Sequence, residues 1–182
     1  MKLLRVKFDS FRLLKNVVIN FSTDDVKKLT VIRADNGTGK TTAMAGLIWG
    51  LYGSKFVKEK LYPLPDFADG QLSFNISVTI DFKTEVTSTV RGNIIVEEKV
   101  YRLKRSCTES VSSNGKTFTR SADQVGLTEQ TDTGSMPVDD QIQIQQVIER
   151  TLPAHLKDIY FTDGDKALSF IESVASDTEK RS

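Results

Sequence analysis

Eight residues, Ala34-Asp-Asn-Gly-Thr-Gly-Lys-Thr41, constrain this chain more than any other feature. They stand between a β-branched run, Leu29-Thr-Val-Ile-Arg33, and a stretch from Lys40 to Tyr52 with helical spacing. Successive backbone N–H groups in a glycine-rich turn point inward as an anion nest, and a helix N-terminus adds its partial positive charge. In this pattern Lys40 reaches the β- and γ-phosphates and Thr41 offers a hydroxyl to Mg²⁺. Gly37 and Gly39 keep side chains out of the phosphate space. Gly-x-Gly-Lys-[Ser/Thr] arises by chance in about one in a hundred chains of this length. Ala34 replaces the usual first glycine with the smallest alternative, which predicts a stiffer turn and a retained site. No Asn-Lys-x-Asp guanine motif occurs, so ATP is favoured mainly by default.

The flanking pattern predicts an α/β fold. Residues 3–8 and 17–21 alternate well enough for a hairpin, and 29–33 reads as a buried strand feeding the glycine loop. Met44, Leu47, Ile48 and Leu51 mark one face of a mostly buried helix that stops at Gly53. Residues 55–70 lack a period and read as a loop. The stretches 72–82 and 94–105 alternate apolar and polar residues, as antiparallel strands with one wet face do. Asn114-Gly115 marks another hairpin. Residues 128–140 are polar, with Gly134 and Pro137, and predict a mobile loop. Ile144, Val147, Ile148, Thr151 and Leu152 return to helical spacing, with Asp139 or Asp140 as the cap and Pro153 as the stop. Ile159-Tyr-Phe161 reads as a short strand before Thr162-Asp-Gly-Asp165, and a final amphipathic stretch carries Leu168, Ile171 and Val174.

Composition excludes several classes. The 182 residues carry 25 Lys+Arg against 24 Asp+Glu, so nucleic-acid contact, if any, is local. No run approaches the ~18 apolar residues of a membrane span. The N-terminus lacks the apolar core of a signal peptide, which predicts a cytoplasmic protein without membrane partners. Cys107 and His155 are the only residues of their kinds, so neither a disulfide nor a Cys/His zinc cluster can form within the chain.

Hydrolysis also needs an acidic residue at the end of a second apolar strand to hold Mg²⁺, together with a group that positions water. No hydrophobic run ending in Asp-Glu occurs, nor does an LSGG-like loop. The chain can bind phosphates yet is an incomplete catalyst by itself. The residues that carry a family resemblance are Phe11-Arg12 with the strand ending at Phe21, the phosphate loop through Thr42, Leu47-Ile-Trp-Gly-Leu-Tyr-Gly53, and Leu152-Pro-Ala-His-Leu-Lys-Asp-Ile-Tyr-Phe-Thr-Asp-Gly-Asp165. Together they resemble the N-terminal half of an SMC-like ATPase head. The last segment is similar to the Leu-Pro…Phe-Phe-Asp-Gly-Glu stretch of DndD-type ATPases of DNA phosphorothioation systems.

That resemblance implies a P-loop NTPase of the ABC/SMC type, here its N-terminal lobe, with a mixed core sheet, a phosphate-loop helix and an antiparallel β-rich region. Residues 1–70 would form the phosphate-loop lobe and 71–138 the β region. Residues 139–182 would hold a helix, the Asp-Gly loop and the start of a coiled coil near Glu172. It further implies ATP and Mg²⁺ as cofactors. Arg12, Asp35, Asn36, Gly37, Thr38, Gly39, Lys40, Thr41 and Thr42 would hold the nucleotide. Lys40 and Asp163 would be catalytic, with Thr41 and Asp163 at the metal. Asp163 stands where repair ATPases of the SbcC type place glutamine, and Asp-Gly is also a strong turn pair. Implied partners are the C-terminal half of the same head, a second head, DNA and other DNA-modification proteins. The alternatives are a role in SbcC-type double-strand-break repair and a scaffold that binds nucleotide without hydrolysing it.

The remaining candidates carry plainer readings. Arg102, Lys104 and Arg105, with Arg91 and Lys99, could form a basic strip for a DNA backbone. Glu97, Glu98 and Glu109 lie close in sequence and favour a solvated mixed-charge face. Lys55, Lys58 and Lys60 are a similar case. Trp49 and Tyr52 read as core anchors. His155 has no partner pattern for catalysis, and Cys107 reads as an ordinary thiol.

Overall fold

The computed structural model describes residues 1–24, 26, 29–33, 35, 37–90 and 93–161. One sheet dominates it. The strands are β1 (Lys2–Asp9), β2 (Val17–Asn20), β3 (Ser73–Val90), β4 (Asn93–Val111), β5 (Phe118–Arg120), β6 (Gln124–Thr131) and β7 (Gly134–Val138). Their order is β2-β1-β3-β4-β6-β7, with β5 paired to the end of β4. Every one of these pairs is antiparallel.

The period-2 pattern explains which face is buried. On β3, Phe74, Ile76, Val78, Ile80 and Phe82 point to the core, as do Val6 and Phe8 on β1 and Tyr101, Leu103 and Val111 on β4. Burying each large apolar side chain contributes about 1.5–3 kcal/mol. Across this face lies α1 (Lys40–Tyr52). The smaller helices are α2 (Leu64–Ala68), α3 (Gln141–Thr151) and α4 (Lys157–Tyr160). The Asp140 carboxylate caps α3 by accepting a hydrogen bond from the Ile142 N–H at 2.8 Å, as the sequence suggested. Ile144 and Ile148, one turn apart, place the buried face of α3 against β6 and β7. The hairpin at Asn114-Gly115 forms, with Gly115 in the left-handed region at φ 67°.

Five expectations change. Residues 29–33 form no strand, and Leu29 and Val31 are 78% and 77% exposed. A buried parallel strand needs neighbours on both sides, and the described sheet offers this run no parallel edge. Residues 128–140 form the β6–β7 hairpin rather than a mobile loop. Gly134, at φ 145°, makes its turn, and Pro137 is accepted because β7 is an edge strand that needs no donor on its open side. Residues 159–161 lie at the end of α4 and not in a strand, and the loop 55–70 contains α2, entered through Pro63 and Pro65. Among the described residues no helix is long and apolar enough to cross a membrane.

The fifth change concerns the packing face of α1. Its fully buried residues are Gly46, Trp49, Gly50 and Leu51, while Met44, Leu47 and Ile48 are half-buried. A Cβ at Gly46 would lie 2.5 Å from Phe8 Cε1 and 3.2 Å from Phe11 Cε1, and one at Gly50 would lie 2.8 Å from Ile80 Cδ1. The helix therefore descends onto the sheet through a glycine stripe at i and i+4, which a search for large apolar residues overlooks.

Candidate phosphate-binding site

The glycine turn is built as its composition suggests. Gly37 and Gly39 have φ of 81° and 108°, a region side chains strain to enter. Gly39 is the N-cap of α1. No side chain caps that end, and no acidic residue occupies its first turn. The amides of the first turn and the positive end of the helix dipole are thus directed at one place, without a carboxylate to compete there. Lys40 Nζ donates to the Asp35 carbonyl at 2.8 Å, and Thr38 Oγ1 donates to the same oxygen at 2.7 Å, closing the turn. Lys40 and Thr41 are exposed, and nothing lies within 4 Å of the position a Gly37 Cβ would take. This donor set, amides with a lysine ammonium and a threonine hydroxyl, fits an anion such as a polyphosphate and a hard cation beside it.

Arg12 stands on an unusual turn beside this loop. Ser10, Arg12 and Asn16 all have positive φ, at 54°, 51° and 54°, each costing about 1–2 kcal/mol in a residue with a Cβ. The turn is pinned where Phe11 and Leu14 bond each other's backbones. It packs on the phosphate loop: the Gly39 Cβ position is 3.1 Å from Leu14 Cδ2 and 3.9 Å from Leu13 Cβ. Arg12 Nε donates to the Lys60 carbonyl at 3.0 Å, and a terminal nitrogen lies 3.4 Å from Glu59 Oε2.

The structure thus gathers Asp35, Gly37, Thr38, Gly39, Lys40, Thr41 and Thr42 around the start of α1, with Arg12 on the adjoining turn and its side chain held by Lys60 and Glu59. Ala34, Asn36, Asp163 and the amphipathic stretch with Leu168, Ile171 and Val174 lie outside the described residues.

The other end of α1 holds polar groups that the sequence reading placed wrongly. Arg105 and Glu109 were expected on the solvated face, yet Arg105 is 6% and Glu109 0% exposed. Both share the inward period of Tyr101, Leu103 and Val111, which is the signal that could have located them. Arg105 Nε and Nη2 donate to the carbonyls of Gly50 and Leu51, each at 3.1 Å, so a cation satisfies the C-terminal carbonyls of α1. Burial pulls this guanidinium below its usual range, and Asp123 beside it pulls the other way. Asp123 also accepts from the Ser54 N–H and hydroxyl, each at 2.8 Å.

Glu109 accepts from the Leu61 and Tyr62 N–H groups at 2.9 and 2.8 Å and from Arg120 Nε at 2.7 Å. Trp49 is fully buried, as expected, with its indole N–H 3.2 Å from the Ser54 hydroxyl. Tyr52 is half-buried and donates to the Leu152 carbonyl at 3.1 Å. Its pKa is pushed up to about 12, first by burial and then by Glu149. Cys107 is buried, and burial foremost pushes its thiol to about 12 as well.

On the opposite face of the sheet, Arg102 and Lys104 are exposed beside Arg5 and Lys7. Arg102 is held bidentately by Asp81 at 2.7 and 3.0 Å, Lys7 by Asp9 and Lys83 by Glu98, whereas Lys99 pairs with Glu129 on the side that Tyr101 shares. The mixed-charge reading describes this face.

A family model described as the AAA domain matches residues 5–173. No curated protein matches the chain. Among solved structures, one described as "Structural biochemistry of ATP-driven dimerization and DNA stimulated activation of SMC ATPases" is similar to it. The TM-score is 0.47 at 14% identity, with 96% of this chain and 99% of that one covered.

Proposed function

Because the chain belongs to the AAA domain family, matched over residues 5–173, we propose that it is the ATP-binding part of an SMC-like ATPase head. The observation that carries this reading is the uncapped glycine N-terminus of α1, where Lys40 and Thr41 stand exposed beside the first-turn amides. In this role the amides of residues 37–42 and the Lys40 ammonium bind and orient the β- and γ-phosphates. Arg12 adds a second positive charge from the side of its turn. The Thr41 hydroxyl, with Asp163, would hold Mg²⁺, whose chemistry is to neutralise charge on the phosphate oxygens.

Two apolar features support completion of the head by a further segment. Leu29, Val31 and Ile32 are 78%, 77% and 48% exposed in a run with strand composition, and α1 is apolar on the side away from the sheet too. A helix that is apolar all round belongs in a core. The acidic strand and signature loop missing from the sequence would enter with that segment, and ATP would join two such heads. Nucleotide that binds the joined state more tightly than the separated state can drive one into the other. The similarity of residues 152–165 to DndD-type proteins favours work in DNA phosphorothioate modification or its associated defence.

The test is ATP turnover by the intact protein. Lys40→Ala is expected to abolish it, and turnover kept at the parent level sinks the reading. Recovery of sulfur-modification proteins with the intact protein supports the phosphorothioation assignment, whereas a nuclease without them favours break repair.

A further inference from the structure

We infer that the buried Glu109–Arg120 pair of the β lobe is the positioning device for Arg12, and so sets how tightly the phosphate loop holds its nucleotide. The inference rests on the reading above, in which Arg12 meets a phosphate. Arg12 does not stand on its own turn alone. Its backbone N–H donates to the Leu61 carbonyl at 2.7 Å, and its Nε donates to the Lys60 carbonyl at 3.0 Å. The direction of its side chain is therefore set by residues 59 and 60, since a terminal nitrogen also lies 3.4 Å from the exposed Glu59 carboxylate, and its backbone is held by residue 61.

That main chain lies in a segment without helix or strand, and two side chains from the sheet hold it. Glu109 Oε2 accepts from the N–H groups of Leu61 and Tyr62. Its other oxygen accepts from Arg120 Nε, whose terminal nitrogens donate to the Val57 carbonyl at 3.0 Å and the Glu59 carbonyl at 2.6 Å. Four backbone groups between residues 57 and 62 are thus tied to one ion pair, with the carboxylate fully buried and the guanidinium nearly so.

A buried carboxylate is costly to keep unless it is paired and hydrogen-bonded, and here one oxygen is used on the segment that holds Arg12 and the other on Arg120, which grips the same segment. Lys15 ties the same turn to α2 through Asp66 at 3.1 Å, so the turn is braced from two sides. The bracing offsets the strain at Ser10, Arg12 and Asn16. An arginine that must meet a phosphate gains from such preorganisation, because less freedom is lost on binding.

A double-mutant cycle on the full chain tests this, read as affinity for a fluorescent ATP analogue, with thermal unfolding of each variant alongside. Arg12→Ala is expected to weaken binding about tenfold, the loss of one charge-assisted phosphate contact. Glu109→Gln is expected to weaken it about three- to fivefold in the parent and to have no further effect in the Arg12→Ala background. Should Glu109→Gln fail to fold, Arg120→Lys takes its place in the cycle. It keeps the charge beside Glu109 and gives up the fork that reaches Val57 and Glu59. Equal losses in both backgrounds, or no loss in either, overturn the inference while leaving Arg12 at the phosphate. No loss on Arg12→Ala itself overturns the reading on which the inference rests.

Discussion

Replacing Gly46 with alanine sets two effects of known size against each other. In an exposed helix the change would stabilise by about 1 kcal/mol, the difference in intrinsic propensity. Here the new methyl would sit 2.5 Å from Phe8 Cε1 and 3.0 Å from Phe8 Cδ1, with Phe11 Cε1 at 3.2 Å. Both rings are fully buried, and Phe11 is itself packed on Trp49 with ring centroids 5.7 Å apart. Neither ring can swing away, so α1 must lift by roughly 1 Å, and overpacking against two buried rings at this distance costs about 2–3 kcal/mol, the upper part of the usual range. The clash outweighs the propensity gain, for a net loss of about 1–2 kcal/mol. At this chain length that corresponds to a Tm lower by about 2–8 °C. Gly50→Ala meets the far end of Ile80 at 2.8 Å and Val78 Cγ1 at 3.0 Å, two aliphatic groups that yield more easily than rings, and after the propensity gain is expected to cost about 0–1 kcal/mol. Urea denaturation of both variants gives the order directly. A Gly46→Ala chain at least as stable as the parent, with unchanged m, refutes the packing of α1 through its glycine stripe.

Arg105→Ala removes the cap on the Gly50 and Leu51 carbonyls and leaves Asp123 buried beside an empty place, so a loss of about 3–5 kcal/mol is expected in the same assay. Arg102→Ala removes a bidentate pair on the wet face and is expected to cost about 0–1 kcal/mol. Cys107 and Tyr52 give a pH dependence whose sign is fixed. Burial pushes both groups up to about 12, from ordinary values of 9.0 and 10.0, so the folded chain keeps protons that the unfolded chain releases. Their contribution to stability is complete below pH 9 and is lost as pH rises from 9 toward 12. Both groups steepen the fall over this window, Cys107 more than Tyr52, whose half-buried ring leaves its hydroxyl partly screened by solvent. Denaturation midpoints measured between pH 8 and 11 check this, and Cys107→Ala should flatten the first part of the fall. The buried thiol should also resist alkylation at pH 8 until the chain unfolds.

What the sequence made legible follows from how local each signal is. The glycine turn at Gly37 and Gly39 depends on adjacent residues, and so do the Asp140 cap, the Asn114-Gly115 hairpin and the alternation of β3, and all four form. The packing face of α1 was misread because close approach is signalled by what Gly46 and Gly50 lack. Arg105 and Glu109 were assigned to solvent by their charge, although their strand period placed them inside. Their partners, the carbonyls of α1 and the amides of Leu61 and Tyr62, are 47 to 55 residues away in sequence. Nothing local announces them. The run at 29–33 has the composition of a buried strand, but composition does not supply the neighbours such a strand requires.

The central claim is that the N-terminus of α1 binds the phosphates of ATP. Titrating the full chain with a fluorescent ATP analogue in the presence of Mg²⁺ tests it most directly. Saturable binding is expected, weakened about tenfold or more by Lys40→Ala and competed by ATP. Binding that Lys40→Ala leaves unchanged, or no binding by the parent chain, contradicts it.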